Sequence, residues 1–163
     1  MSKRANLGKP VGRAEAAEGL NLVKLCVGAE TPRDLAAWQT ARAAERAARG
    51  VDPRPRHTTR MRPTREAELL AGGSLYWVFR GVIRARQVLA AIEPLDGPDG
   101  IRRYDLVLEP KLIATEPHPR RAFQGWRYLT GEDAPRDLLR GYDGPVIDLP
   151  DRLAATVAEY GVL

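Results

Sequence analysis

The apolar positions of the chain follow two periods, one suited to strands and one to helices. From Leu20 to Val27, Leu20 and Leu22 fall on one face and Val23, Leu25 and Val27 on the other, until Gly28 stops the run. Apolar residues on both sides predict a central strand. Thr31, Pro32 and Asp34 then supply an N-cap, a first-turn proline and a first-turn acid, so a helix is expected from Pro32 to Arg49, ended by Gly50. Its expected buried stripe is Leu35, Trp38, Ala41 and Ala48. Prolines stiffen the connection from Val51 to Pro63, in which the β-branched pair Thr58-Thr59 predicts a short strand. Thr64 is placed to cap a short helix, Arg65 to Ala71, that stops at Gly72-Gly73.

The pattern then becomes β. Leu75, Trp77 and Phe79 alternate with Tyr76, Val78 and Arg80, and a second extended stretch follows from Val82 to Glu93. Asp96 to Gly100 is a turn, Tyr104, Leu106 and Leu108 mark a third strand, and Leu112 to Thr115 a fourth. A Pro-rich loop (Glu116 to Arg121), an aromatic segment (Phe123 to Leu129) and a C-terminal helix from about Asp151 complete the pattern. The expected fold is α+β: a small, mostly antiparallel barrel or bent sheet with one long N-terminal helix and a C-terminal helix. Residues 1–19, polar and Gly-interrupted, are expected to form a flexible arm ahead of a single globular domain, 20–163.

Composition removes several classes of function. With 163 residues, 44% hydrophobic and 29% charged, the chain suits one compact domain. Its apolar runs are far shorter than the roughly 20 residues of a membrane span, and Met1 to Gly19 lacks the apolar core of a secretory signal. One cysteine, Cys26, excludes an internal disulfide and fits the cytoplasm. Cys26, His57 and His118 are too scattered to hold a metal, and no cofactor is expected. Gly72-Gly73-Ser74 leads into a strand, whereas a phosphate-cradling loop opens a helix.

Charge points more usefully to a partner. The net charge is +5, but residues 54–86 hold 8 basic and 2 acidic side chains, while residues 87–163 hold 9 and 13. A basic block beside an acidic tail suits a protein that meets a polyanion on one side. Within and after that block, arginines interleave with aromatic residues. Arg60 and Arg62 are expected on the short strand with Thr58-Thr59, widening a positive rim. Arg84 and Arg86, two apart, are expected to share a strand face as a phosphate clamp. Arg120, Arg121, Trp126, Arg127 and Tyr128 form the second cluster, with Trp126 as a stacking platform for a base.

The segments Leu25-Cys26-Val27-Gly28, Thr59-Arg60-Met61-Arg62-Pro63, Gly72-Gly73-Ser74-Leu75-Tyr76-Trp77-Val78, Arg86-Gln87 and Phe123-Gln124-Gly125-Trp126-Arg127-Tyr128-Leu129 resemble a bacterial family catalogued as domain of unknown function 1489. The resemblance covers about Leu20 to Leu138 and implies no activity. The order of a Thr/Arg strand, a short helix, a Gly-marked turn and long strands is also similar to the PUA-like and ASCH-like barrels. That similarity implies binding of RNA or modified bases and, for some ASCH members, amidohydrolysis of acetylated nucleosides. The G-x-K-x-x-E-x-R signature of the ASCH group is absent. The leading expectation is therefore a non-catalytic RNA-binding or modified-nucleotide-binding module. The alternative is an adaptor whose arginines dock an acidic protein partner, and a nucleoside amidohydrolase of ASCH-like type ranks behind both.

Overall fold

The computed structural model describes residues 19–138. The expected C-terminal helix and all of the expected arm except Gly19 lie outside them. The described chain contains β1 (Leu20–Leu25), α1 (Pro32–Ala48), β2 (Arg56–Thr59), α2 (Glu66–Leu69), β3 (Ser74–Phe79), β4 (Val82–Asp96), β5 (Arg102–Leu108), β6 (Ile113–Pro119) and β7 (Trp126–Thr130). The fold is α+β, a mixed seven-stranded sheet with one long and one short helix. Strands run in the order β2-β5-β4-β3-β1-β7, with β6 also paired to β4. The β1–β3 pair is parallel and the other pairs are antiparallel.

Local chemistry explains most boundaries. The Thr31 hydroxyl accepts from the Asp34 amide at 3.1 Å and Pro32 opens α1, as the cap pattern predicts. In α2 the cap is Arg65, not Thr64, and no side-chain cap bond forms. Arg80 (φ 51°) and Gly81 (φ 85°) form the two-residue turn between β3 and β4, a turn that needs positive φ at both positions. The Pro-rich loop expected at Glu116 to Arg121 is largely strand. β6 runs through Pro117 and Pro119, because the amides that flank them, Glu116 and Arg120, carry the bonds to Arg136 and Gly81.

The main core lies on the helix side of the sheet, where Leu20, Leu22, Leu75, Trp77, Phe79, Leu106, Leu108 and Trp126 meet Leu35 of α1 and Leu69 of α2. Val23, Tyr76, Val78, Ile83 and Leu129 form a second cluster on the far face. The ends of the strand order approach each other across the helix side: the Trp126 indole N–H of β7 donates to the Met61 carbonyl just after β2, at 2.9 Å. A sheet with both ends this close is strongly curled.

Trp38 corrects the expected helix stripe. It is 54% exposed, and Ala41 and Ala48 are exposed as well; of the expected stripe only Leu35 is buried, and Gln39 faces the core beside it. Gln39 is retained there by a reciprocal amide pair with Gln87 of β4, at 3.0 and 2.8 Å. The Gln87 side-chain oxygen also accepts from the Trp77 indole N–H at 2.9 Å, and its NH2 group also donates to the Glu109 carbonyl at 3.1 Å. A buried polar network with every member satisfied ties α1 to the sheet.

Gly73 shows how tightly α2 meets β1. A Cβ there would strike the backbone carbonyls of Leu20 and Leu69, neither of which moves without its strand or helix. Gly73→Ala is expected to destabilise by about 1–3 kcal/mol through overpacking, measurable as an earlier urea midpoint with an unchanged slope.

Candidate nucleic-acid interface

The expected Arg84–Arg86 clamp does not form. Trp77 pairs with Ala85 and Val78 with Ile83, so β4 carries one extra residue at Arg84. That bulge breaks the two-residue alternation on which a shared face depends. Arg86 is 4% exposed, beside the second core cluster. Its guanidinium donates to both Asp137 carboxylate oxygens, at 2.8 and 2.7 Å, and to the Ser74 hydroxyl at 2.7 Å. Arg86 is thus a structural cation, held by an acid from the segment after β7. Tyr76, opposite Arg86 on β3, is fully buried, and desolvation pushes its hydroxyl up to about 12.

Trp126 is likewise corrected. It is 6% exposed and belongs to the main core, its indole N–H is taken by Met61, and its ring meets Tyr128 edge-on at 4.9 Å. The expected platform for a base is therefore a core residue. Tyr128 packs beside it and accepts from the Arg65 amide at 3.2 Å, with the Arg65 guanidinium over its ring at 5.5 Å.

The remaining site residues separate onto two faces of β7, the last strand in the order. On the helix side lie exposed Arg60 and Arg62. Arg62 has Glu66 at 3.6 Å and the Tyr104 ring at 5.9 Å. On the far face, Arg127 turns away from Trp126 and Tyr128 by strand alternation and reaches Phe123, which packs against the second cluster. The Arg127 guanidinium stands 5.0 Å and that of Arg120 5.5 Å from the Phe123 ring centre. Arg127 also donates to the carbonyls of Gln124 and Trp126, and Arg121 is exposed beside them. Among the described residues no carboxylate forms an ion pair with Arg120, Arg121 or Arg127.

Arginines elsewhere are largely neutralised. Arg56 contacts Asp52, Glu93 and Asp105, Arg54 binds Asp52, and Arg102 and Arg103 bind Asp96 and Asp99. These guanidinium groups hold the Asp52 and Asp99 carboxyls well below the usual carboxylate range. The positive block in the sequence is therefore partly cancelled by acids from the later, negative stretch.

A family model described as "Protein of unknown function (DUF1489)" matches residues 22–163. The chain belongs to the DUF1489 family. No curated protein and no solved structure matches it.

In this DUF1489 chain, sequence reading passed over two features. Phe123 was visible only as part of an aromatic segment, because its guanidinium neighbours lie three residues before it and four after. Lys24 and His57 are far apart in sequence, and only the curled sheet brings them near the same indole. His57 meets Trp77 edge-on at 5.9 Å, while Lys24 stands opposite Trp77 in the β1–β3 register. Among the described residues there is no group of His, Cys, Asp and Glu fit to hold a metal, and no helix is long and apolar enough to cross a membrane.

Proposed function

We propose that the protein binds single-stranded RNA or a nucleotide through Arg120, Phe123 and Arg127, with Arg121 adding charge and Arg60 and Arg62 extending the positive field beyond the β7 edge. The observation that carries this reading is the pair of guanidinium groups, Arg120 and Arg127, that stand within 5.5 Å of the Phe123 ring centre without a carboxylate partner among the described residues. Such groups neutralise phosphates, and a partly exposed ring stacks on a base without regard to sequence. The expected PUA-like barrel belongs to the same reading, supported by the curl that brings Met61 to Trp126. A cytoplasmic setting is consistent with the single thiol, Cys26.

The test is fluorescence anisotropy with a labelled single-stranded RNA over a sodium chloride series. The intact protein is expected to bind with a log affinity that falls linearly with log salt, and Arg120→Ala with Arg127→Ala to reduce that slope by about 2. Phe123→Leu, which keeps an apolar side chain against Leu129, is expected to weaken binding by about 1–3 kcal/mol per stacked base and leave the slope nearly unchanged. Absence of binding at low salt, or an unaltered slope in the double variant, would refute the proposal. Capture of an acidic protein in place of RNA would favour the adaptor reading.

A further inference from the structure

We propose that Lys24 and His57 form a second binding site, on the helix side of the sheet and distinct from the arginine patch, for the single anionic group of a small phosphate- or carboxylate-bearing ligand. Lys24 is near the end of β1, and its partners in the two neighbouring strands are both tryptophans, Trp77 on β3 and Trp126 on β7. It shares a face with Leu20 and Leu22, so its stem lies along the main core. From β2, His57 reaches the same Trp77 ring. Both side chains are half-buried.

Neither has a partner. Among the described residues, the Lys24 ammonium makes no ion pair or hydrogen bond, and neither ring nitrogen of His57 is hydrogen-bonded. Their nitrogens are not sealed from solvent, so their open hydrogen-bonding positions can be reached by a small ligand. Desolvation lowers Lys24 and pushes His57 down to about 4, with the nearby Lys24 charge adding to the shift on His57.

The other titratable groups around them do not supply the missing acceptor. Asp105 of β5 is already bound by the Thr58 hydroxyl at 2.6 Å and by Arg56 at 3.2 Å. Cys26, just past the end of β1 and packed against the main core, has a thiol pushed up to about 11 by burial and stays neutral. What the pair lacks is an anion, to accept from the ammonium and from an imidazole N–H. Exposed Arg60 and Arg62, in the segment that closes over Trp126, steer negative charge toward this end of the sheet.

The chain has two histidines, so the exposed His118 serves as an internal control. The experiment follows both imidazoles by NMR in the full chain while inorganic phosphate, and in a second arm acetate, is added at pH 6.5 against a matched sodium chloride series. His57 is expected to shift saturably with at least one probe, and its titration midpoint to rise from about 4, because a bound anion favours the imidazolium. His118 is expected only to follow the salt control. The arm that saturates distinguishes a phosphate ligand from a carboxylate. Lys24→Met, which keeps the apolar stem, is expected to weaken the probe about tenfold, the effect of one charge-assisted hydrogen bond. No saturable His57 shift with either probe, or an undiminished affinity in folded Lys24→Met protein, overturns the proposal. If that variant does not fold, the wild-type titration decides alone. Because Lys24 and His57 take no part in the Arg120–Phe123–Arg127 patch, the His57 titration and the Lys24 variant test this site separately from RNA binding.

Discussion

Arg86→Met is expected to lower the free energy of unfolding by about 3–5 kcal/mol, the cost of breaking a buried ion pair by removing one partner. Its guanidinium side chain is 5% exposed and that of Asp137 16%, so neither charge recovers full hydration when the other is lost. Ser74 also loses the donor to its hydroxyl. Methionine preserves much of the arginine stem, which confines the change to the charge and its hydrogen bonds. Urea unfolding followed by circular dichroism measures the effect. Replacing both partners, as Arg86→Met with Asp137→Leu, is expected to recover most of the loss, because two apolar side chains leave no stranded charge. If the single variant unfolds at the wild-type midpoint, Arg86 does not hold the segment around Asp137.

Gln87→Leu is expected to have an effect of similar size by a different route. Leucine nearly fills the same space but strands the Trp77 indole N–H and the Gln39 amide, both buried against it, and removes the donor to the Glu109 carbonyl. Each stranded group costs about 1–3 kcal/mol. Adding Gln39→Leu removes one of these stranded groups and is expected to restore part of the stability. The double-mutant cycle therefore measures the coupling between α1 and the sheet. An additive cycle would mean that the amide pair contributes no interaction energy.

Patterns confined to a few neighbouring residues were legible in the sequence. Thr31-Pro32-Asp34 announces α1, the alternation from Leu75 onward announces β3, and Gly81 marks the hairpin break, although Arg80, expected at the end of the strand, belongs to the turn. Features set by distant partners were not legible. The bulge at Arg84 depends on the register with β3, and a period-two reading of β4 cannot detect one extra residue. Asp137 lies in a stretch without periodicity, so nothing local marks it as the acid that draws Arg86 inside. Trp126, flanked by Gly125 and Arg127, has little apolar company in sequence, and its burial follows from the approach of Met61. On α1, Gln39 takes the core-facing position because a matching amide waits on β4, which leaves Trp38 outside. Charge suffered the same limitation, since a running count cannot show that Asp52, Glu93 and Asp105 converge on Arg56.

β1 is the first strand to leave the ribosome among those described, yet its neighbours come late. One edge waits for β3, and the other waits for β7, the last strand described. Both contacts are long-range, and one is parallel, so loop-closure entropy must be overcome before either pairing yields stability. During synthesis the Leu20–Leu25 strand thus waits for β3 on one edge, and its other edge stays open until almost all of the described chain has emerged. Folding of this protein should be slow relative to a local hairpin protein of its size, and the interval of greatest exposure to aggregation falls before β7 docks.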